Sequence, residues 1–475
     1  MAMTERTMQI EITPNPALVD ELVRIRVRGA AAGERVRLAA WTMDDAARRW
    51  DSRAEFVARG DGSVDLAEDA SRAGTYRGVD AMGLFWSLAL NPGDAGQHDQ
   101  YLKRELTPCE ITFEASSPGV RSIARARLER QYVPPGTIVR AVEEDRLAGL
   151  LFLPPRSANE DDAHRFPAVI TLGGSGGGLD WEMAAALSAH GYAGFALPYF
   201  GFDPLPSSLN SIPLEYFERA IAWLCRQPEI DAGRLAVHGI SRGGELALLL
   251  ATKIPLLRAV VGVVPGNVVW QGTGAPPADS SGSSAPDGGE GTPAARRGEG
   301  AAVGKAAGTQ PRNGLRSSWT YRGAPLPFVP YALKRFRLWT AVRVITMRKP
   351  VRFARLHRDS LKQRDAVERA AIPVEEIRAP ILLVSSEDDQ VWPSEEMSGA
   401  IEERLAACRF GYEFKHLRNP GAGHMLRLPH TPATTLASKL PNFGLRIAFG
   451  GTPAATARAR VSAWRETLEF LRRNL

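Results

Sequence analysis

A serine, an acid and a histidine in that order along a chain can form a nucleophile, the group that orients its base, and the base itself. This sequence of 475 residues offers such a set. Ser241 lies in Leu235-Ala236-Val237-His238-Gly239-Ile240-Ser241-Arg242-Gly243-Gly244-Glu245-Leu246, where a short apolar strand runs into Gly-x-Ser-x-Gly and then into a helix-forming run ending near Leu250. Strand, tight turn and helix make a nucleophile elbow, which lifts the serine clear of a sheet, and Gly239 and Gly243 leave room where side chains would collide. With 45 glycines in the chain the bare pattern is common, and Gly173-Gly174-Ser175-Gly176-Gly177 matches it after another strand, Ala168 to Leu172. Past Ser175 come Gly176, Gly177, Gly178, Leu179 and Asp180 before a helix can start, so no helix dipole serves that serine. Such a loop suits backbone donors: Gly174, Ser175 and Gly176 are expected to form one half of an oxyanion hole and the N–H of Arg242 the other. The competing reading is a plain mobile connection.

The base and acid should follow at strand ends. Pro380-Ile381-Leu382-Leu383-Val384 reads as a fully buried parallel strand that empties into Ser385-Ser386-Glu387-Asp388-Asp389. An orienting acid belongs there, and the residues alone do not separate Asp388 from Asp389. Tyr412 to Leu417 reads as a further strand, followed by Asn419-Pro420-Gly421-Ala422-Gly423-His424, a glycine-rich loop that presents His424 as the general base. Of the other seven histidines, His238 reads as a packed core imidazole inside its strand. His416 lies within a strand, and His98, His164, His190 and His357 lack an adjacent strand-end loop. His430, in a polar loop, is the outside candidate.

The elements that must hold these residues divide the chain. Through about residue 135 apolar and polar positions alternate with period two, as in Val23, Ile25, Val27 against Arg24, Arg26, Arg28, in Cys109, Ile111, Phe113 against Glu110, Thr112, Glu114, and in Ala124, Ala126, Leu128 against Arg125, Arg127, Glu129. That pattern predicts an antiparallel sandwich over 1–136, ending at Pro134-Pro135-Gly136. Over 137–475 strands alternate with helical runs such as Leu214 to Arg226, Arg242 to Ala251 and Thr456 to Leu475, which predicts a mostly parallel sheet wound with helices. Residues 272–314 contain no Ile, Leu, Phe, Tyr or Trp and are expected to be a disordered insertion, inert or regulatory.

Charge is uneven. Tyr331 to Arg358 carries nine Lys or Arg and no acid, against a whole-chain net charge of +6, and interleaves Phe336, Leu338, Trp339, Val342, Val344 and Ile345. The segment 331–358 reads as a cap with a basic face, suited to an anionic substrate or an anionic membrane surface, or as a solvated helix face. Nucleic acid is disfavoured, since neither a binding motif nor a stacking platform accompanies the charge. No apolar run approaches the ~20 residues of a membrane span, and no signal-peptide core is present. Cys109, Cys225 and Cys408 make neither metal spacing nor a disulfide framework, so a cytoplasmic protein without metal or cofactor is expected.

Several of these segments resemble the acyl-CoA thioesterase and bile acid-CoA:amino acid N-acyltransferase family. The N-terminal echoes are Leu22-Val23-Arg24-Ile25-Arg26-Val27-Arg28-Gly29, Met82-Gly83-Leu84-Phe85-Trp86 and Leu151-Phe152-Leu153-Pro154-Pro155. The C-terminal ones are Gly176-Gly177-Gly178-Leu179, Ile212-Pro213-Leu214-Glu215-Tyr216-Phe217, the elbow itself, Glu387-Asp388-Asp389 with Trp392, Gly423-His424, and Phe449-Gly450-Gly451-Thr452-Pro453. The resemblance implies an immunoglobulin-like sandwich joined to an α/β-hydrolase domain, and Asp389 as the acid that orients His424. It also implies that a serine nucleophile goes with thioester hydrolysis and a cysteine with amino-acid conjugation. The insertion and the basic segment after it depart from the family pattern. The expected function is therefore acyl-CoA hydrolysis through Ser241, His424 and Asp389. A carboxylic ester substrate or an amine acceptor on the same triad is the alternative, and a non-catalytic binding protein the remote one.

Overall fold

The computed structural model describes residues 6–94, 99–120, 123–156, 164–273, 314–333, 336, 340, 347, 349–439 and 446–475. Two sheets make up the N-terminal part. One joins Gln9–Thr13, Arg24–Arg28 and Val64–Asp65; the other runs through Ala17–Leu18, Ala124–Gln131, Cys109–Ser116, Arg35–Met43, Arg49–Val57 and Ala73–Gly74, with Ala89–Leu90 beside Arg49–Val57. The period-two residues divide as strand geometry requires: Val23, Ile25, Val27, Ile111, Phe113 and Leu128 turn inward and share one core with Val36, Leu38 and Phe56. Arg130 breaks the pattern. It stands in the inward register at 3% exposure, where its guanidinium donates to the carbonyls of Glu21 (3.0 Å) and Val19 and lies 5.3 Å from the Phe85 ring.

The main sheet of the rest of the chain has eight strands, β1 (Ile138–Val142), β2 (Gly149–Leu153), β3 (Phe166–Leu172), β4 (Ala193–Ala196), β5 (Ile230–Ile240), β6 (Leu257–Val263), β7 (Ile381–Ser386) and β8 (Phe414–Asn419). Their spatial order is β1-β2-β4-β3-β5-β6-β7-β8. The pairs β1/β2 and β2/β4 are antiparallel and all the others parallel. This is the arrangement of an α/β hydrolase. Its helices include α1 (Glu182–Ser188), α2 (Glu215–Cys225), α3 (Arg242–Ala251), α4 (Phe353–Leu361), α5 (Ser394–Ala407) and α6 (Pro453–Asn474), with the short helix Arg364–Ala370 after α4.

Strand periodicity explains why a continuous apolar run was needed in the central strands. In β7, Ile381 and Leu383 enter one core with Leu246, Leu249 and Trp223, whereas Leu382 and Val384 enter a second with Ala463, Trp464 and Leu471. Both faces are covered, so apolar side chains fill them and a polar one such as Ser385 needs a partner, here His416 Nε2 at 2.8 Å. Helix α6 begins three residues before the expected Thr456. Thr452 caps it by accepting from the Ala455 N–H at 3.2 Å, and Pro453 occupies the first turn, where its missing N–H costs nothing.

Of the expected insertion, residues 274–313 lie outside the described residues. Its flanks adjoin, since Gly272 donates to Arg316 at 2.9 Å. In the basic segment, Phe336, Val351 and Leu356 form a small buried cluster, and Arg358 pairs with Glu396 at 2.6 Å. Leu338, Trp339, Val342, Val344 and Ile345 lie outside the described residues.

His238 sits in β5 at 4% exposure, and burial pushes its imidazole down to about 4. His357 in α4 is pushed to about 4 by the same cause. Unfolded imidazoles take up a proton near pH 6.5, whereas these two stay neutral until about pH 4. The stability they confer is complete above pH 6.5 and is lost as pH falls from there towards 4, by at most ~3 kcal/mol per histidine. Urea unfolding at pH 7.0 and 4.5 should show the wild type losing more stability than a His238→Leu variant, by about one proton in the slope. Equal losses would contradict this account of His238.

Candidate active site

The carboxyl ends of β5, β7 and β8 converge on one point, and the three expected residues leave from them. Ser241 follows β5 and opens α3 with φ +58° and ψ −118°, a conformation that costs a non-glycine residue about 1–3 kcal/mol. The turn is as tight as the glycine spacing demands. A Cβ on Gly239 would lie 1.9 Å from the Gly243 carbonyl oxygen, and one on Gly243 would lie 2.2 Å from that of Leu172.

Ser241 Oγ lies 3.0 Å from His424 Nε2, and His424 Nδ1 lies 2.8 Å from Asp389 Oδ2. The other oxygen of Asp389 accepts from the N–H groups of Val391 (2.9 Å) and Trp392 (3.2 Å), which fixes the carboxylate. Asp388 points elsewhere: its Oδ2 accepts from the Gly451 N–H at 2.9 Å. The two aspartates thus divide the work, one facing the imidazole and one fastening the Phe449 to Thr452 segment.

That segment ties the turn of Asp389 to the loop of His424. Phe449 O accepts from the His424 N–H (2.9 Å) and the Gln390 N–H (3.3 Å). Gly450, at φ +80°, passes so near the acid turn that a Cβ would lie 1.8 Å from Asp388 O. Gly451, at φ +71°, comes as near the loop of His424, where a Cβ would lie 2.2 Å from Gly423 N, and these two close approaches are the physical reason for the paired glycines.

Of the loop residues expected near Ser241, Gly174 is against it. A Cβ there would come within 3.2 Å of Ser241 Cβ and 3.7 Å of its Oγ. Ser175 is exposed, and a Cβ on Gly176 would meet nothing within 4 Å. The Arg242 N–H, at the first position of α3, has no acceptor among the described residues. The Arg242 side chain turns away into a buried pair with Glu245 at 2.7 Å, reaching also Ser318 Oγ and the carbonyls of Gln271 (3.4 Å) and Trp270 (3.5 Å). Glu245 accepts in turn from Trp319 Nε1 at 2.8 Å, and burial raises its carboxyl above the ordinary range.

His357 was set aside on sequence for want of a strand-end loop. It lies in an aromatic layer with Trp270 (4.8 Å), Tyr331 (5.5 Å) and Trp392 (5.7 Å), and Trp392 stands edge-on to His424 at 6.1 Å. The available signal was helical: Ala354, Leu356, His357 and Ser360 form the buried stripe of α4. His430 lies apart from the triad, near Arg130 and Asp20. His416 makes a second chain of contacts, with Ser385 Oγ 2.8 Å from its Nε2 and Glu402 Oε2 3.1 Å from its Nδ1. Ser385 is 0% exposed and sits inside β7, whereas Ser241 is 7% exposed at a strained turn. No group of three or more His, Cys, Asp or Glu able to hold a metal occurs among the described residues.

Comparison with known families places the chain. Residues 20–144 match the family model described as "Acyl-CoA thioester hydrolase/BAAT N-terminal region". Residues 212–276 and 316–475 match that described as "BAAT / Acyl-CoA thioester hydrolase C terminal". The chain belongs to the acyl-CoA thioesterase and bile acid-CoA:amino acid N-acyltransferase family. The second match skips 277–315, most of the low-complexity stretch. Family members similar to this chain include the bile acid-CoA:amino acid N-acyltransferase of Mus musculus, 29% identical over 98% of this chain and 98% of its own length. Acyl-coenzyme A thioesterase 1 of Homo sapiens is 29% identical over 96% of this chain and 94% of its own. Acyl-coenzyme A thioesterase 2, mitochondrial, of Homo sapiens is 29% identical over 96% and 82%. No helix among the described residues is long and apolar enough to cross a membrane.

Proposed function

We propose that the protein is an acyl-CoA thioesterase working through Ser241, His424 and Asp389. The observation that carries the reading is the unbroken run of contacts from Oγ to Nε2 at 3.0 Å and from Nδ1 to carboxylate at 2.8 Å, with Gly174 packed against the nucleophile. Ser241 Oγ attacks the thioester carbonyl while His424 Nε2 takes its proton, and Asp389 keeps Nδ1 protonated and in line. The N–H groups of Arg242 and the Gly174 to Gly176 loop face the developing oxyanion. The carbon–sulfur bond breaks, His424 returns the proton to the departing thiolate, and coenzyme A leaves an oxyester on Ser241. Water, deprotonated by His424, then releases the free acid.

An oxyester is aminolysed less readily than a thioester, so a serine nucleophile favours hydrolysis over conjugation relative to a cysteine. Free thiol released from short, medium and long acyl-CoAs tests the reading. Parallel assays with p-nitrophenyl esters, and with glycine or taurine added, test the alternatives. Thiol and free acid in equal amounts, unchanged by added amine, are expected. An amide product would make the protein a transferase, and turnover of esters alone an ester hydrolase. Absence of both turnover and fluorophosphonate labelling in folded protein would leave a binding role.

Gly174→Ala is expected to lower kcat about 100-fold, because its methyl group would displace the nucleophile or the donor loop by a fraction of an ångström. Acyl-CoA kinetics with the variant check it, and an unchanged kcat would remove Gly174 from the oxyanion site. We also read residues 1–136 as an immunoglobulin-like sandwich domain and 137–475 as the catalytic domain, on the strength of the two N-terminal sheets sharing one core. A cytoplasmic location rests on the three scattered free cysteines.

A further inference from the structure

The loop that carries His424 is short of regular structure, yet its histidine must hold two hydrogen bonds in line. Glycine flanks it at Gly421 and Gly423, so the loop itself supplies little stiffness. Helix α6 supplies it. Thr456 Oγ1 accepts from the Gly423 N–H at 3.2 Å, immediately before His424. Arg460 Nε donates to the Met425 carbonyl at 2.9 Å, immediately after it. Thr456 and Arg460 are four residues apart and therefore share one face of the helix. The same guanidinium continues along the loop, where Nη1 donates to Thr431 O (3.1 Å), Thr431 Oγ1 (3.0 Å) and Pro432 O (3.1 Å).

We propose that Thr456 and Arg460 are positioning residues that fix His424 for catalysis by gripping the backbone on either side of it, an inference that rests on His424 being the general base.

Three features make the grip specific. Arginine alone offers a planar fork of donors able to serve carbonyls in different directions, and lysine could not span the same set. Arg460 is 4% exposed, and burial pulls it down to about 9, so it keeps its charge at neutral pH. The facing charges are Arg427, which lowers its basicity, and Glu182, which raises it. A buried cation that binds carbonyl dipoles, with Glu182 as the carboxylate that raises its basicity, is a costly device for holding a loop. The loop it holds is braced again on the far side by N-terminal residues outside the two sheets: the Ala433 N–H donates to Trp86 O at 2.9 Å, Thr434 Oγ1 to Leu88 O at 2.6 Å, and Thr435 Oγ1 to Asp99 O at 2.8 Å. The chain after His424 is thus clamped between α6 and the N-terminal part.

The test uses the full chain with Arg460→Gln, Thr456→Val and Thr456→Ser, each in the wild-type and in a His424→Ala background. Steady-state acyl-CoA kinetics, single-turnover rates and the rate of fluorophosphonate labelling of Ser241 are measured. Arg460→Gln should lower kcat and labelling by a common factor of about 30 to 100, and Thr456→Val by about tenfold, with KM within twofold of wild type. Thr456→Ser should restore the rate. In the His424→Ala background neither change should slow the residual reaction further, because both act through a base that is gone. Equal losses in both backgrounds, or a loss confined to KM, would overturn the proposal. If Arg460→Gln fails to fold, the Thr456 pair decides alone. Full turnover by His424→Ala itself would sink the base assignment instead, which separates the two failures.

Discussion

Alanine at position 241 should reduce acyl-CoA turnover by about 10⁴- to 10⁶-fold, the loss seen when a nucleophile is removed from a working triad, while the thermal midpoint stays within a few degrees of wild type. The size follows from what remains. Without Oγ no acyl-enzyme forms, and only substrate binding and the oxyanion donors still act. Asp389→Asn should lose about 10⁴-fold, because an amide at the position 2.8 Å from Nδ1 favours the tautomer in which Nε2 carries the proton and can no longer accept one from Ser241. Asp388→Asn should cost far less, since that carboxylate holds the Gly451 N–H and not the imidazole. Ser385→Ala supplies the control. Its hydroxyl also meets a histidine that meets a glutamate, yet it is fully buried in β7, and kcat within twofold of wild type is expected. Thiol release by the four variants checks the set. Loss of turnover in Ser385→Ala with retention in Ser241→Ala would reverse the assignment of nucleophile.

The comparison of these two serines shows what a sequence can carry. Ser241 was legible because an elbow needs Gly239 and Gly243 at fixed spacing, and His424 because a base must leave a strand end on a loop free to turn. Those are local requirements, written within a few residues. Ser241 and His424 could therefore be singled out as candidates, along with the central strands, whose apolar runs report burial on both faces. The supports were not legible, because they are contacts between distant segments. Nothing local in Ala457 to Val461 marks Arg460 as the partner of a loop 35 residues earlier. Arg130 alternates in register with apolar neighbours, so period two assigns it a side of the sheet but not the carbonyls that justify it. Asp388 and Asp389 share the same strand end, and only the path of Phe449 to Thr452 tells them apart. The aromatic layer over His424 draws on Trp270, His357 and Trp392, three segments whose order in space depends on the whole sheet.

The buried pair behind the nucleophile leads to the largest expected effect on stability. Glu245→Leu should destabilise the fold by about 3–5 kcal/mol, since it leaves the Arg242 cation in a site that is 3% exposed with no counter-charge. Arginine cannot escape by losing its proton. The same change strands the Trp319 Nε1 donor. Arg242→Met should cost less, about 1–3 kcal/mol, because the carboxyl left behind can take up a proton and become neutral. That asymmetry has a sign in pH. Burial already raises Glu245 above its unfolded value, and loss of the arginine raises it further, so stability in Arg242→Met is full below the unfolded carboxyl value and falls as pH rises through the folded one. Urea unfolding at pH 5 and pH 8 should therefore penalise Arg242→Met more at the higher pH. Glu245→Leu, with no titrating group left in the pair, should show no such fall between the two. The double variant Arg242→Met/Glu245→Leu should recover part of the single losses, as two apolar side chains need no partner. If the double variant proved as unstable as the sum of the singles, the pair would not be the unit that holds Trp270, Ser318 and Trp319 behind Ser241.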